Sequence, residues 1–249
     1  MDLALRKPVA LSLLAILVYS GLAWGLRALL EPVGWSRTAV ALTGQFLLAG
    51  YVSFLLQRLG WWGECGFQRK VTGRTILVFT PWLLIPLLQL TDVGMVTSGP
   101  ARIAVFAFWA LLVGFGEEAL LRGVVLRALR PGGVMRAAVL SSVLFGIAHL
   151  ANVLEGRDLF STLVQVVYAA FIGIGFAGPV VATGAIWPAI VVHALIDFTD
   201  AAGRDFTFPD EGAALYPGQA VVALALTGLY ALYGIWLIRR HLRSTSTGI

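Results

Sequence analysis

Apolar runs of about 20 residues, closed at their ends by Trp, Tyr, Gly and Pro, recur along the chain at near-regular spacing. A helix of that length crosses a hydrocarbon layer, where every backbone N–H and C=O must find its partner within the protein, so only helices and closed barrels span. The runs are too long and too continuous for barrel strands, whose alternation comes in short stretches. Of 249 residues, 59% are hydrophobic and 12% charged, with a mean hydropathy of +0.86, too few polar side chains to coat a soluble globule of this size.

The patterning predicts an all-α, polytopic membrane bundle of about eight transmembrane helices, at 8–30, 38–58, 74–92, 102–128, 134–152, 161–183, 186–199 and 218–238. They form a single integral membrane domain over 1–249, without a soluble domain, low-complexity tract or internal repeat. Arg6 and Lys7 precede the first run, but it is longer than a signal-peptide core and lacks a small-x-small cleavage site, which makes it an uncleaved anchor. The lone Cys65 excludes an internal disulfide and a Cys-x-x-Cys metal site.

Charge placement orients the bundle. Eight spans put both termini on one side, together with Arg6, Lys7, Arg58, Arg69, Lys70, Arg74, Arg127, Arg130, Arg136, Arg239, Arg240 and Arg243. Arg27, Arg37, Arg102, Arg157 and Arg204 fall on the other side. The positive-inside rule then makes both termini cytoplasmic, as expected in a bacterial plasma membrane, and makes Asp200–Glu211 an irregular acidic external loop. A net charge of +5 spread over four segments has no dense cluster of the kind nucleic acid needs, so the bilayer, not a nucleic acid, is the expected partner.

Against this apolar background, a few polar residues stand inside the runs: Glu117, Glu118 and Arg122 in the fourth, His149 in the fifth, His193 and Asp197 in the seventh. Ionisable groups at that depth are costly and mark functional sites. Glu118 and Arg122 are four apart on one helix face and can neutralise each other, a pairing that also suits a purely structural ion pair between helices. Glu117 lies about 100° around the helix and is left without that partner. His193 and Asp197 share a face at the same spacing, and Phe145 can pack beside the ring of His149. A lone His in an apolar helix serves packing or an interhelical hydrogen bond, but two of them beside an unpaired Glu and an Asp form an inventory for chemistry. A glutamate in apolar surroundings can take a proton from water and return it, a histidine can hold that water, and donors on another helix can stabilise an oxyanion. Gly114, Gly116, Gly173, Gly175, Gly178 and Gly184 permit close helix approach, and Pro179 and Pro188 can bend helices near the site.

Glu-Glu-x-x-x-Arg at Glu117–Arg122, Phe-x-x-x-His at Phe145–His149 and His-x-x-x-Asn/Asp at His193–Asp197 resemble the three motifs of the CPBP or ABI family, intramembrane proteases related to the Rce-type CAAX prenyl endopeptidases. The resemblance covers 115–199, where helices four to seven carry the motifs in the family's order. It implies an intramembrane endopeptidase in which Glu117 is the general base, His149 helps activate water, and His193 with residue 197 lines the oxyanion site. Glu118 and Arg122 would support these groups. Asp197 departs from the Asn of prenyl-protease members; a carboxylate only accepts unless protonated, so Asp197 could instead orient His193. The implied substrate is a peptide or membrane-protein segment, lipidated or not. No metal cofactor is required; the alternative is Zn²⁺ held by Glu117, His149 and His193, although the zinc-binding His-Glu-x-x-His helix is absent. Buried Glu, Asp and His also build proton-coupled transporters, against which no matched halves with interrupted helices are found. A non-catalytic immunity or scaffold member of the same fold is the remaining alternative.

Overall fold

The computed structural model describes residues 7–154, 156–208 and 215–246, and among them there is helix and no strand. All eight predicted segments are helical, and six helices are long and apolar enough to cross a membrane. The first two, α1 (Pro8–Leu30) and α2 (Arg37–Leu59), form an antiparallel hairpin, α2 starting where the Ser36 hydroxyl accepts from the Ala39 N–H.

The third segment is not the single helix expected over 74–92. It consists of α3 (Gly73–Phe79), a 3₁₀ turn at Thr80–Leu83, α4 (Leu84–Gln89) and a second 3₁₀ turn at Leu90–Asp92. Pro81 supplies no N–H and crowds the preceding turn, so the helix tightens there. Tyrosine hydroxyls of a later helix cap the disturbed turn: Tyr233 donates to the Val78 carbonyl at 2.9 Å and Tyr230 to that of Pro81 at 2.7 Å.

α5 (Pro100–Glu118) continues through a π-helical stretch at Ala119–Val125 into α6 (Leu126–Leu129), and all seven residues of that stretch are buried. After α7 (Val134–Ala148) and the short α8 (Ala151–Leu154) come α9 (Leu159–Thr183) and α10 (Trp187–Gly203). α9 begins at Asp158, whose carboxylate accepts from the Ser161 N–H at 2.8 Å. It ends at Gly184, whose φ of +71° only glycine adopts without strain. Pro188 starts α10 rather than bending it, and Pro179 lies within α9 without ending it.

α11 (Pro217–Ser246) outruns the predicted 218–238, so Arg239, Arg240, His241 and Arg243, beyond the predicted last segment, lie on helix. Of the expected external loop Asp200–Glu211, Asp200–Gly203 belongs to α10, and residues 209–211, like Arg6, lie outside the described residues.

Small residues set the helix crossings. A Cβ on Gly114 of α5 would lie 2.6 Å from the Ile190 carbonyl of α10, and one on Gly146 of α7 would lie 2.3 Å from the Val166 carbonyl of α9. On Gly178 of α9 it would meet the Gly234 Cα of α11 at 2.4 Å. Such contacts tie α5 to α10 and α9 to both α7 and α11, the most extensive helix pairings of the molecule. Each of the first two glycines sits three residues before a motif residue, Glu117 or His149.

Candidate active site

The close crossing at Gly114 lays the Glu117-Glu118 pair against His193. Glu118 is fully buried, and its Oε1 accepts from Nδ1 of His193 at 2.8 Å while Arg122 Nη1 stands 3.0 Å from the same oxygen. The Glu118–Arg122 pair expected from the spacing is therefore present, carried across the start of the π-helical turn. Its alignment is poor: Glu118 Oε2 and both terminal nitrogens of Arg122 make no hydrogen bond of good geometry. The guanidinium is instead sandwiched by rings, 4.7 Å over Phe145 and 5.7 Å over Phe176.

Those two rings also flank the histidines. Phe145 meets His149 edge-on at 4.8 Å, the packing expected from their spacing, and Phe176 lies parallel to His193 at 6.0 Å. Behind Phe176 stand Trp82 at 4.0 Å and then Tyr230 at 4.1 Å, both nearly parallel, so a column of rings backs His193. Trp82 is fully buried and comes from the broken third segment.

Hydrogen bonding fixes the tautomers. Nδ1 of His149 lies 2.9 Å from the Phe145 carbonyl, which can only accept, so Nδ1 carries the proton and Nε2 is left as the basic nitrogen. Nδ1 of His193 is likewise committed to Glu118, and its Nε2 stands 3.7 Å from both Glu117 Oε2 and Asp197 Oδ2, beyond direct hydrogen bonding. The bond that holds the His193 ring thus comes from Glu118, while Asp197 faces the opposite nitrogen.

A cavity of about 740 Å³ collects Glu117, His149, His193 and Asp197 on its wall, whereas Glu118 and Arg122 stand behind that wall. Glu117 keeps 20% of its side chain exposed and Asp197 24%, enough for a small molecule to reach them. Among the described residues no group of three or more His, Cys, Asp or Glu is placed to hold a metal ion.

Sequence reasoning passed over residues that also line this cavity. Tyr19 of α1 lies against the motif helix, a Cβ on Gly116 meeting its hydroxyl at 2.9 Å, and that hydroxyl is buried without a hydrogen-bond partner. Its signal was the stripe of Ser12, Ala15 and Ile16, all buried, with half-buried Tyr19, at helical spacing on a helix without a motif. Asn152 and Gln165, joined at 2.8 Å, line the same space and carry no periodic signal.

Residues 99–199 match the model of a family described as type II CAAX prenyl endopeptidase Rce1-like. No curated protein and no solved structure matches the chain. The matched span holds the Glu117–Arg122, Phe145–His149 and His193–Asp197 motifs, which the fold brings to one site in a helical bundle. Over that span, about two fifths of the chain, this integral membrane protein is similar to the Rce1-like family of CAAX-protease-like intramembrane endopeptidases.

Proposed function

We propose that the protein hydrolyses a peptide bond inside the bilayer with a water molecule activated jointly by Glu117 and His149, without a metal ion. The observation that carries this reading is the shared cavity wall: two accessible carboxylates and two imidazole rings whose Nδ1 atoms are held by fixed partners. Glu117 takes a proton from water, whose other hydrogen is held by Nε2 of His149, and the oxygen attacks the substrate carbonyl carbon. The carbonyl oxygen becomes an oxyanion. With Nδ1–H committed to Glu118, His193 donates to it from Nε2 as an imidazolium, for which Glu117, Glu118 and Asp197 supply counter-charge. Glu117 then returns its proton to the departing amine nitrogen as the C–N bond breaks, and the second water hydrogen passes from the new acid to Nε2 of His149 and on to solvent, leaving a carboxylate and an amine.

In this reading Asp197 is a charge partner of His193, not an oxyanion donor. The substrate is a peptide or a membrane-protein segment, with or without a lipid, and the setting is a bacterial plasma membrane with both chain termini in the cytoplasm. Incubating purified protein with membrane-proteome peptides tests the scheme: Glu117→Gln keeps size but removes basicity, and its cleavages should vanish while the melting profile stays that of the parent. Full activity in Glu117→Gln would overturn the mechanism. Strong chelators should leave the parent's rate unchanged; loss of activity with chelator and its return with Zn²⁺ would replace this scheme by a zinc one.

A further inference from the structure

The two faces of the bundle are defined by contacts between its connections. On one, Thr97 and Ser98 bind Asp205, Arg102 Nε donates to the Phe206 carbonyl at 2.9 Å, and the Leu215 N–H reaches Ser161. On the other, the segment between α2 and α3 meets the far ends of α6, α9 and α10: Glu64 pairs with Arg127, Gly66 packs on Gly184, and Trp187 Nε1 donates to the Phe67 carbonyl at 3.1 Å.

The cavity reaches only the first of these faces. Beyond the catalytic residues its wall runs out to Glu31, Arg37, Arg157 and Asp200, which stand at the 30–37 and 154–159 connections and near the end of α10, and Arg37 and Asp200 are exposed there. Toward the second face the wall stops at apolar side chains within the bundle, such as Ile16, Leu121 and Phe176. The two faces also differ in charge. The second carries Lys7, Arg58, Arg69, Lys70, Arg74 and the basic residues of α6, of the start of α7 and of the end of α11, while the first has Arg27, Arg37, Arg102, Arg157 and Arg204. The positive-inside rule assigns the more basic face to the cytoplasm.

We infer that the active-site cavity opens to the extracytoplasmic side of the membrane, so that the substrate is an exported polypeptide or an outward-facing segment of a membrane protein rather than a cytoplasmic tail. This rests on the peptidase reading above and adds the direction from which the peptide arrives.

Cysteine labelling tests it in the full-length chain. Burial pushes the native Cys65 thiol up to about 12, against the opposing pull of Arg127, so the parent protein gives a low background toward maleimides. Asp200→Cys probes the cavity mouth, Glu31→Cys is a second probe of the same mouth should the first not accumulate, and Arg240→Cys probes the opposite face. A membrane-impermeant maleimide applied to intact cells should label the mouth cysteine and leave position 240 unlabelled until the membrane is opened. The reverse pattern would overturn the assigned direction. In purified protein, a bulky maleimide at the mouth should abolish cleavage of the peptides that Glu117→Gln fails to cut, while the same adduct at 240 should not; unchanged cleavage with the mouth fully modified would overturn the route through this cavity. These outcomes are separable from failure of the peptidase reading itself, which is shown by full activity in Glu117→Gln.

Discussion

At the residue scale, Glu118 is the side chain on which the rest of the site leans. One of its oxygens serves both His193 and Arg122, and it is fully buried. Removing either partner of a buried ion pair leaves the other uncompensated, at a cost of about 3–5 kcal/mol, whereas removing both together is far milder. Glu118→Gln and Arg122→Met should therefore each lower the melting temperature more than the double substitution does, a coupling that thermal unfolding in detergent can read. Tyr19→Phe should behave in the opposite way, because it deletes a buried hydroxyl that has no partner. Its stability should match or exceed the parent's, and a marked loss would show that the hydroxyl is bonded in solution. The Glu118–Arg122 pair was legible in the sequence because four residues on a helix make neighbours. The Glu118–His193 bond was not, since it depends on how closely two helices cross, and residue spacing within one helix carries no information about that.

At the element scale, the crossings are set by backbone contact at glycine. Gly234→Ala would drive a methyl to 2.2 Å from the Ile174 carbonyl, and the resulting shift of α11 from α9 should cost about 1–3 kcal/mol. Gly21→Ala on α1 meets nothing within 4 Å and should instead stabilise by up to about 1 kcal/mol, since alanine is the better helix former. Denaturation of the two variants side by side checks the contrast. The sequence pointed to Gly114, Gly116, Gly173, Gly175 and Gly178 as close-approach positions, and each faces a neighbour within 3.0 Å. Gly184 serves a different need, ending α9 in the left-handed region, and Gly146 and Gly234 were passed over. Helix existence was readable because apolar runs have little alternative in a bilayer; the break at Pro81 and the π-helical turn were not. Both are local departures from the regular helix, and at the Pro81 break the carbonyls are met by groups distant in sequence, Tyr230 and Tyr233.

At the scale of the whole molecule, the end of the bundle onto which the cavity opens is fastened by Asp205. Its carboxylate accepts from the N–H groups of Thr97 and Ser98 at 3.0 and 2.9 Å and from the Thr97 hydroxyl, which draws its pKa below the ordinary 3.8. A lowered folded value means that this stabilisation is fully present above the unfolded pKa and is lost as pH falls through the folded one. Hydrogen exchange of the Thr97 and Ser98 amides should therefore be slow near neutrality and show a protection loss at strongly acidic pH that Asp205→Asn removes. The positive φ of both Asp205 and Phe206 gives the clamp a further task, since the Arg102 bond to the Phe206 carbonyl helps hold backbone that non-glycine residues seldom adopt.

The column of rings behind His193 has a consequence for the time at which the protein becomes active. Every motif residue has left the ribosome by Asp197, yet the column is closed by Tyr230, and the broken turn around Pro81 awaits the hydroxyls of Tyr230 and Tyr233. Until α11 is threaded into the bilayer, Trp82 lacks one of its two stacking partners, α9 lacks its largest neighbour, and the column that backs Phe176 and the histidine is left open at its far end. A chain stopped after Phe208 should insert with all its motifs present and yet cleave no peptide, and supplying α11 as a separate fragment should restore cleavage. Synthesis itself would then act as a safeguard, keeping a nascent hydrolase silent until its last helix has arrived.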